Sequence, residues 1–402
     1  MDLGEARPDV FIRYEIPKKI DEAREAVAKL LKAPTDTVVF EPNATNAINT
    51  ILRNLTWDDD HKDEILYFNS IYGACGKTID YLVDSLLGRV ASREIAITYP
   101  CEDEEIVAAF KEAVRQSRSE SKRPKVCVYD VVSSLPGVRF PFEELTKACK
   151  EAGIVSIVDG AQGIGMIDLD LGALDPDFFL TNCHKWLHVP RGCAILYVPF
   201  RNQQLITTTT PTSHGYVPRT TKRFNPLPQS EKSAFVNNFE FTGTTDRSSY
   251  LCVPAAIKWR QDFLGGEARI IEYTQTLAKE GGKKAAQILG TEVLDNRSGT
   301  MSKCSMTNVA LPLKFVTTSD NIGAGESGKE LQIPVEDVQE AREWMMNTLI
   351  SEYKTYVVIF RYGDRFWVRV SAQVYLDTGD FEWIGQVLLE LSRRAAKGEY
   401  KN

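Results

Sequence analysis

Histidine is scarce in this chain, with 4 among 402 residues, and that leaves few imidazoles for a metal centre. Long apolar runs are missing too: none approaches the roughly 18 to 20 residues that span a bilayer. Positive charge falls short of negative, 48 Lys and Arg against 55 Asp and Glu, giving a net charge of −7. That balance and a pI near 5.4 argue against a broad nucleic-acid surface, which is normally basic. The first residues, Met1-Asp-Leu-Gly-Glu-Ala-Arg-Pro8, carry acid and proline where a signal peptide needs an apolar stretch. The 8 cysteines lack paired spacing, so thiols in a reducing compartment are expected rather than disulfides. What is present is ordinary for a globular protein: 43% hydrophobic and 26% charged residues. A disordered tail, a collagen-like fibre and a small disulfide scaffold are thereby excluded, and a soluble, cytoplasmic protein of two or three domains is expected.

Between residues 20 and 200, short β-branched runs alternate with amphipathic stretches. The strands are read at Thr37–Phe40, Glu64–Phe68, Ile95–Thr98, Lys125–Val132, Ile154–Val158, Asp177–Thr181 and Cys193–Val198. Helical spacing of apolar residues falls between them, as in Ile20, Ala23, Val27 and Leu30, or Ile106, Phe110 and Val114. Near-continuous apolar strands separated by helices predict a doubly wound, mostly parallel, seven-stranded type of α/β sheet covered on both faces. After about residue 200 the rhythm breaks into the Thr-, Pro- and Arg-rich stretch Thr207–Pro228. A helix over Val253–Phe263 then leads into a smaller α+β domain with strands near residues 308–312, 356–360 and 366–370. The expected division is an N-terminal segment (1–19) packing on the small domain, a large domain (20–255) and the small C-terminal domain (256–402).

Three motifs mislead. Gly323-Ala-Gly-Glu-Ser-Gly328-Lys329 has phosphate-loop spacing, but Glu330 stands where a Mg²⁺-binding hydroxyl is needed, so Ser319–Lys329 reads as a mobile surface loop. His184-Lys-Trp-Leu-His188 has the spacing of a zinc helix, but Lys185 replaces the glutamate base and its ammonium opposes a metal; no metal is expected. Gly160-Ala-Gln-Gly163-Ile-Gly165 follows a strand, with glycine spacing wrong for a dinucleotide loop.

One constellation explains more of the chain. Asp159 ends one apolar strand, and Lys185 follows the next. Two such groups at neighbouring C-terminal strand ends point into the crevice where open α/β sheets bind ligands. A lysine that bonds an aldehyde and an aspartate that holds a pyridine nitrogen protonated are what pyridoxal 5′-phosphate (PLP) requires. Taken alone, such a pair is more often a surface ion pair. Its phosphate needs donors, and Phe40-Glu-Pro-Asn43-Ala44-Thr45-Asn46 places a small-residue turn before a helix, with free backbone N–H groups and the Thr45 hydroxyl. His184 is a further donor. Tyr72, just after a strand, is the aromatic expected to stack on the ring and, with Lys185, a candidate catalytic residue. Cys75, three residues past Tyr72, falls near the expected site, but it and Cys183 read as packing or bystander residues.

In this order the motifs resemble the class V aminotransferases among fold-type I PLP enzymes, the group of the cysteine desulfurases and isopenicillin N epimerase. The resemblance rests on Asn43-Ala-Thr45-Asn-Ala-Ile-Asn49, Val158-Asp-Gly-Ala-Gln162, Asn182-Cys-His-Lys185-Trp and Arg369-Val-Ser-Ala-Gln-Val-Tyr375. It implies that Lys185 carries the cofactor, that Asp159 partners its ring nitrogen, and that Gln162 and Ser134 lie near the ring hydroxyl. Thr45 and His184 would serve the phosphate, and Thr244, in Phe241-Thr-Gly-Thr-Thr-Asp246, would reach the phosphate of a second subunit in a homodimer. Arg369 would bind the substrate carboxylate. Longer stretches, such as Tyr72-Gly-Ala-Cys-Gly-Lys-Thr-Ile-Asp-Tyr81 and Pro211-Thr-Ser-His-Gly-Tyr-Val-Pro218, are similar to the hercynylcysteine sulfoxide lyases of fungal ergothioneine biosynthesis. That resemblance implies carbon–sulfur cleavage of an S-substituted cysteine or its sulfoxide, to a thiol or sulfenate, pyruvate and ammonia. Aminotransfer, epimerisation or cyclisation would use the same residues. The family's upstream Asn-His-Gly-Ser-Phe-Gly-like stretch is expected to be missing, so a non-catalytic paralogue is the remaining alternative.

Overall fold

Strand burial sets the layout of the first unit. In a computed structural model describing residues 2–228, 230–317 and 331–401, seven strands form one sheet: β1 (Val38–Glu41), β2 (Asp63–Phe68), β3 (Val90–Ile95), β4 (Arg123–Asp130), β5 (Val155–Asp159), β6 (Phe178–Asn182) and β7 (Ala194–Tyr197). Their spatial order is β1-β7-β6-β5-β4-β2-β3. The five central and edge strands β3, β2, β4, β5 and β6 run parallel, while β7 is antiparallel to both β6 and β1. The fold is therefore the mostly parallel α/β sheet that the alternating pattern implies. Every residue of β1, β6 and β7 is buried, as a sheet covered on both faces demands. Helix Ala44–Asn54 supplies one cover, burying Ala47, Ile48, Ile51 and Leu52. Helix Gly73–Ser85 adds Cys75, Ile79 and Leu82 to the same core.

One strand lies elsewhere than its sequence suggests. The apolar run Ile95–Thr98 contributes only Ile95, and β3 occupies Val90–Ile95, paired with β2 from Asp63↔Val90 to Phe68↔Ile95. Residues Ala91–Glu94 are not fully buried, so this edge strand is held by backbone pairing more than by apolar burial.

The second unit takes residues 99–102, 134–139 and 270–402, and the first unit the rest, including the N-terminal segment. Its sheet joins β8 (Met306–Val316), β9 (Leu331–Pro334), β10 (Val358–Tyr362) and β11 (Arg365–Ser371) in the order β10-β11-β8-β9. Leu311, Leu313, Met345, Phe366, Val368 and Phe381 sit in its core. Helix Glu267–Leu289 escapes the sequence reading because Gly281 and Gly282 interrupt its apolar stripe. Both are packing glycines: a Cβ on Gly281 would lie 2.3 Å from the Phe381 ring, and one on Gly282 would lie 2.4 Å from the Thr307 hydroxyl. The phosphate-loop lookalike and the surface loop read at Ser319–Lys329 lie outside the described residues. Among the described residues no helix is long and apolar enough to cross a membrane, and all eight cysteines are free thiols.

Candidate cofactor site

Parallel strands aim their carboxyl ends in one direction, so the register of β4 and β5 fixes what gathers there. Asp130 pairs with Asp159 as the last residues of these strands, and both side chains are buried. Gly160 turns the chain immediately afterwards. Its amide donates to the Leu180 carbonyl at 2.7 Å, and any Cβ there would lie 2.4 Å from the Phe179 ring. The tight turn sets the Asp159 carboxylate: Oδ1 accepts the Ala161 amide at 2.8 Å, and Oδ2 accepts the Cys75 thiol at 3.5 Å.

Lys185 stands on the short helix Cys183–Trp186 that follows β6. Its Nζ lies 6.0 Å from the centroid of the Tyr72 ring, and Tyr72 itself is half exposed at the start of helix Gly73–Ser85. The lysine's helix is pinned from behind by Arg260, whose side chain is wholly buried. Arg260 donates to the Trp186 carbonyl at 2.9 Å and to Glu267 through Nε at 2.5 Å and Nη2 at 2.7 Å. A planar guanidinium suits that fork, since it satisfies a carboxylate with two parallel bonds while a third donor caps the helix end.

Electrostatics sort the two acids. Burial pushes the Asp159 pKa up, against the Ala161 amide, the Lys185 charge and the Cys75 thiol, which pull it down. Burial raises Asp130 further, and the charge of Asp159 adds to the rise. Two adjacent buried carboxyls share one proton more readily than both ionise. Asp159 carries the two donors, so it is the acid of the pair whose ionised form is the better supported. A buried carboxylate with a lysine nearby and an exposed aromatic face suits a flat heterocycle whose nitrogen takes a proton and whose aldehyde bonds an amine. The donor set thus fits PLP.

The expected phosphate cradle is partly occupied by the protein itself. Asn43 caps helix Ala44–Asn54 by accepting the Asn46 amide at 2.9 Å, and the Asn182 side chain accepts the Ala44 amide at 2.9 Å. Two N–H groups expected to be free therefore already have acceptors, and half-buried Thr45 lies between them. Beside Lys185, the His184 Nδ1 lies 2.8 Å from the Cys193 carbonyl, which makes Nδ1–H the donor and leaves Nε2. Burial lowers the His184 pKa, the Cys193 carbonyl opposes that, and the charges of Lys185 and Arg191 lower it further. His188 is committed as well, with Nδ1 2.9 Å from the Arg260 guanidinium, so the zinc-like spacing leaves both rings on protein partners. Gln162 accepts the Trp186 indole N–H at 2.8 Å, which orients the amide with its NH₂ end turned away from the indole.

Thr244 is exposed, between Phe241 and the short helix Ser248–Leu251. Ser134 and Arg369 belong to the second unit. There Arg369 donates through Nη1 to the Ser134 carbonyl at 2.7 Å and the Ser134 hydroxyl at 3.3 Å, while its buried Nε has no partner. Burial pulls its pKa below the ordinary arginine value. Four residues escaped the sequence reading: Asp130, Asn182, Arg260 and Cys75, the last read there as a packing residue. Asp130 lies inside the apolar run Lys125–Val132, and only the structure ends β4 at it. The other three are defined by contacts across long stretches of sequence.

Residues 12–323 match the family Aminotransferase class-V, and the chain belongs to that family. It is 36% identical to the L-cysteine desulfhydrase-like protein lolT1 of Epichloe uncinata, over 96% of this chain and 86% of that protein. It is 31% identical to the hercynylcysteine sulfoxide lyase of Schizosaccharomyces pombe, over 96% of this chain and 87% of the relative. Among solved structures, the cystine C-S lyase C-DES in complex with cysteine persulfide superposes with a TM-score of 0.69, at 16% identity, over 94% of this chain and 87% of that one. The last likeness concerns the fold.

Proposed function

We propose that this chain is a cytoplasmic, homodimeric, PLP-dependent carbon–sulfur lyase acting on an S-substituted cysteine or its sulfoxide, as hercynylcysteine sulfoxide lyases do. The observation that carries this reading is the buried Asp130–Asp159 pair at two adjoining strand ends, with Lys185 close enough to bias both acids. Family membership and the two relatives above support the reaction class.

When bound, PLP supplies an aldehyde that takes the substrate amine and a protonated ring that draws electrons from Cα. Asp159 is the residue that holds the ring proton. Tyr72 would cover one face of the ring, and Gln162 and Ser134 would serve its hydroxyl. Thr45 and His184 would serve the phosphate, with Thr244 of a second copy, while Asn43 would hold the helix cap and the Ala44 amide would stay with Asn182. Arg369 grips the substrate carboxylate, a role suited to a buried guanidinium with an unpartnered Nε. Lys185, freed when substrate enters, takes the Cα proton at Nζ. Loss of that proton expels the sulfur substituent from Cβ as a thiolate or sulfenate, and one water then completes the release of pyruvate and ammonia.

A panel of cysteine S-conjugates and their sulfoxides, with pyruvate read by a coupled assay, tests the reading. Wild-type protein should release pyruvate from at least one sulfoxide, and Lys185→Ala should release none and lose the visible band of lysine-bound cofactor. Arg369→Ala should raise KM by roughly 30-fold to 1,000-fold, from about 2 to 4 kcal/mol of lost charge pairing. Amine transfer to a keto acid without pyruvate would overturn lyase chemistry, and an unchanged band in Lys185→Ala would overturn the lysine assignment.

A further inference from the structure

We propose that Cys75 is a positioning residue that tunes the basicity of Asp159, a role that rests on the reading of Asp159 as the partner of the cofactor's ring nitrogen. Cys75 lies in the first turn of helix Gly73–Ser85 and is 1% exposed. Its Sγ is 3.5 Å from Asp159 Oδ2, the oxygen that the Ala161 amide does not hold. The two donors come from different segments and grip different oxygens, so together they fix the plane of the carboxylate.

The choice of sulfur has a chemical consequence. A thiol is a weak donor, and a hydroxyl in the same place would bond the carboxylate more strongly. Hydrogen bonds to the charged form lower an acid's pKa, so a strong donor at Oδ2 would make Asp159 a poorer base toward the ring nitrogen. A weak one orients it and leaves it basic. The thiol stays a donor because it stays protonated: burial raises its pKa, and the charges of Asp159 and Asp130 raise it further, against the opposing pull of Lys185. Those groups come from β5, β4 and the helix Cys183–Trp186. A thiol held that way is a poor nucleophile.

The test reads the ring nitrogen directly. Holoenzyme is loaded with PLP carrying ¹⁵N in the ring, and the ¹⁵N shift is followed against pH, with the cofactor dissociation constant, in wild type, Cys75→Ser, Cys75→Ala and Asp159→Asn. Cys75→Ser, with its stronger donor, should move the nitrogen toward the unprotonated form. Cys75→Ala, with no donor, should move it the opposite way, toward firmer protonation. The dissociation constants should differ by roughly threefold to tenfold between the two, the scale of one ordinary hydrogen bond. Opposite displacements are what loosened packing does not produce. If both Cys75 variants fold, by circular dichroism, and the nitrogen stays put or moves the same way in each while Asp159→Asn displaces it, the role of Cys75 is overturned alone. If Asp159→Asn leaves the nitrogen unmoved, the assignment of Asp159 falls with it.

Discussion

Two buried acids at opposite ends of one sheet live in opposite electrostatic conditions. Asp63 opens β2 with a side chain that is 0% exposed, and it is surrounded by donors: Arg123 Nε at 2.6 Å, Lys125 Nζ at 2.9 Å and the Asp58 amide at 2.9 Å. Burial works to raise its pKa, but those three outweigh burial and hold it below the ordinary carboxylate range. Asp159 closes β5 equally buried, yet it receives one amide and one thiol, and its pKa goes up. The first end is compensated for the sake of the fold. The second is left short of positive charge, which is the condition of a site whose missing partner arrives with a ligand. Glu41, at the end of β1, is a third case: it accepts the Thr50 hydroxyl at 2.8 Å, and burial pushes its pKa up to about 8.

Glu41 offers the largest expected stability effect and the sharpest contrast with Asp63. Above pH 4.5 the unfolded chain releases this proton while the folded protein keeps it to about pH 8. Unfolding therefore releases a proton across that window, so stability falls as pH rises from 4.5 and levels off above about 8. At about 1.36 kcal/mol per pKa unit, the rise from 4.5 to about 8 corresponds to roughly 5 kcal/mol in full. Glu41→Gln keeps an acceptor for Thr50 and cannot ionise. Urea unfolding of cofactor-free protein from pH 5 to pH 9 should show most of this decline in wild type and its absence in the variant. Parallel pH profiles would show that Glu41 ionises in the folded state as freely as an exposed acid.

The compensated and uncompensated ends differ in how far they could be read from the sequence. Asp159 and Lys185 stand out because apolar strands end beside them, and the strand-by-strand layout follows from near-continuous apolar runs. Asp130 sits in the same kind of position, but only the β4–β5 register shows that it adjoins Asp159. Cys75 and Arg260 have no local signature. One is a thiol whose carboxylate is 84 residues away, the other an arginine bonded to a carbonyl 74 residues away. Edge strand β3 lies outside the apolar run because its pairing with β2 outweighs its polar character, and helix Glu267–Leu289 is hidden by paired glycines that Phe381 and Thr307 require. Periodicity reports which face is buried; it does not report which partner a distant segment will bring.

Asp63→Ala breaks the comparison from the other side. Arg123 is left half exposed with Asp58 and Asp60 as remaining partners, and Lys125 keeps the Thr56 carbonyl, so the loss is smaller than for an isolated buried pair. It should amount to about 2 to 3 kcal/mol at pH 7, the scale of hydrogen bonds to a charged group. Because the folded pKa of Asp63 is depressed, its contribution is present above the ordinary carboxylate range and fades as pH falls through the folded value. The variant and wild type should converge in acid, the reverse of Glu41. Cofactor affinity should not change, and a large change would mean that the two ends of the sheet are not independent.

The smallest effect comes from an acid that never leaves water. Asp377 begins helix Thr378–Ala396 in the second unit, accepting the Gly379 amide at 2.7 Å, while Asp380 accepts the Asp377 amide at 2.9 Å. This reciprocal cap satisfies backbone donors that the helix leaves open, and it needs no burial to do so. Asp377→Ala should cost about 1 kcal/mol, measured as the loss in unfolding free energy of the second unit. Both carboxylates are exposed, so water supplies most of what the cap provides, and the penalty stays below that of Asp63→Ala. If Asp377→Ala instead cost more than Asp63→Ala, burial would not set the scale of these effects. The uncompensated charge at Asp159 would then lose its meaning as the mark of a binding site.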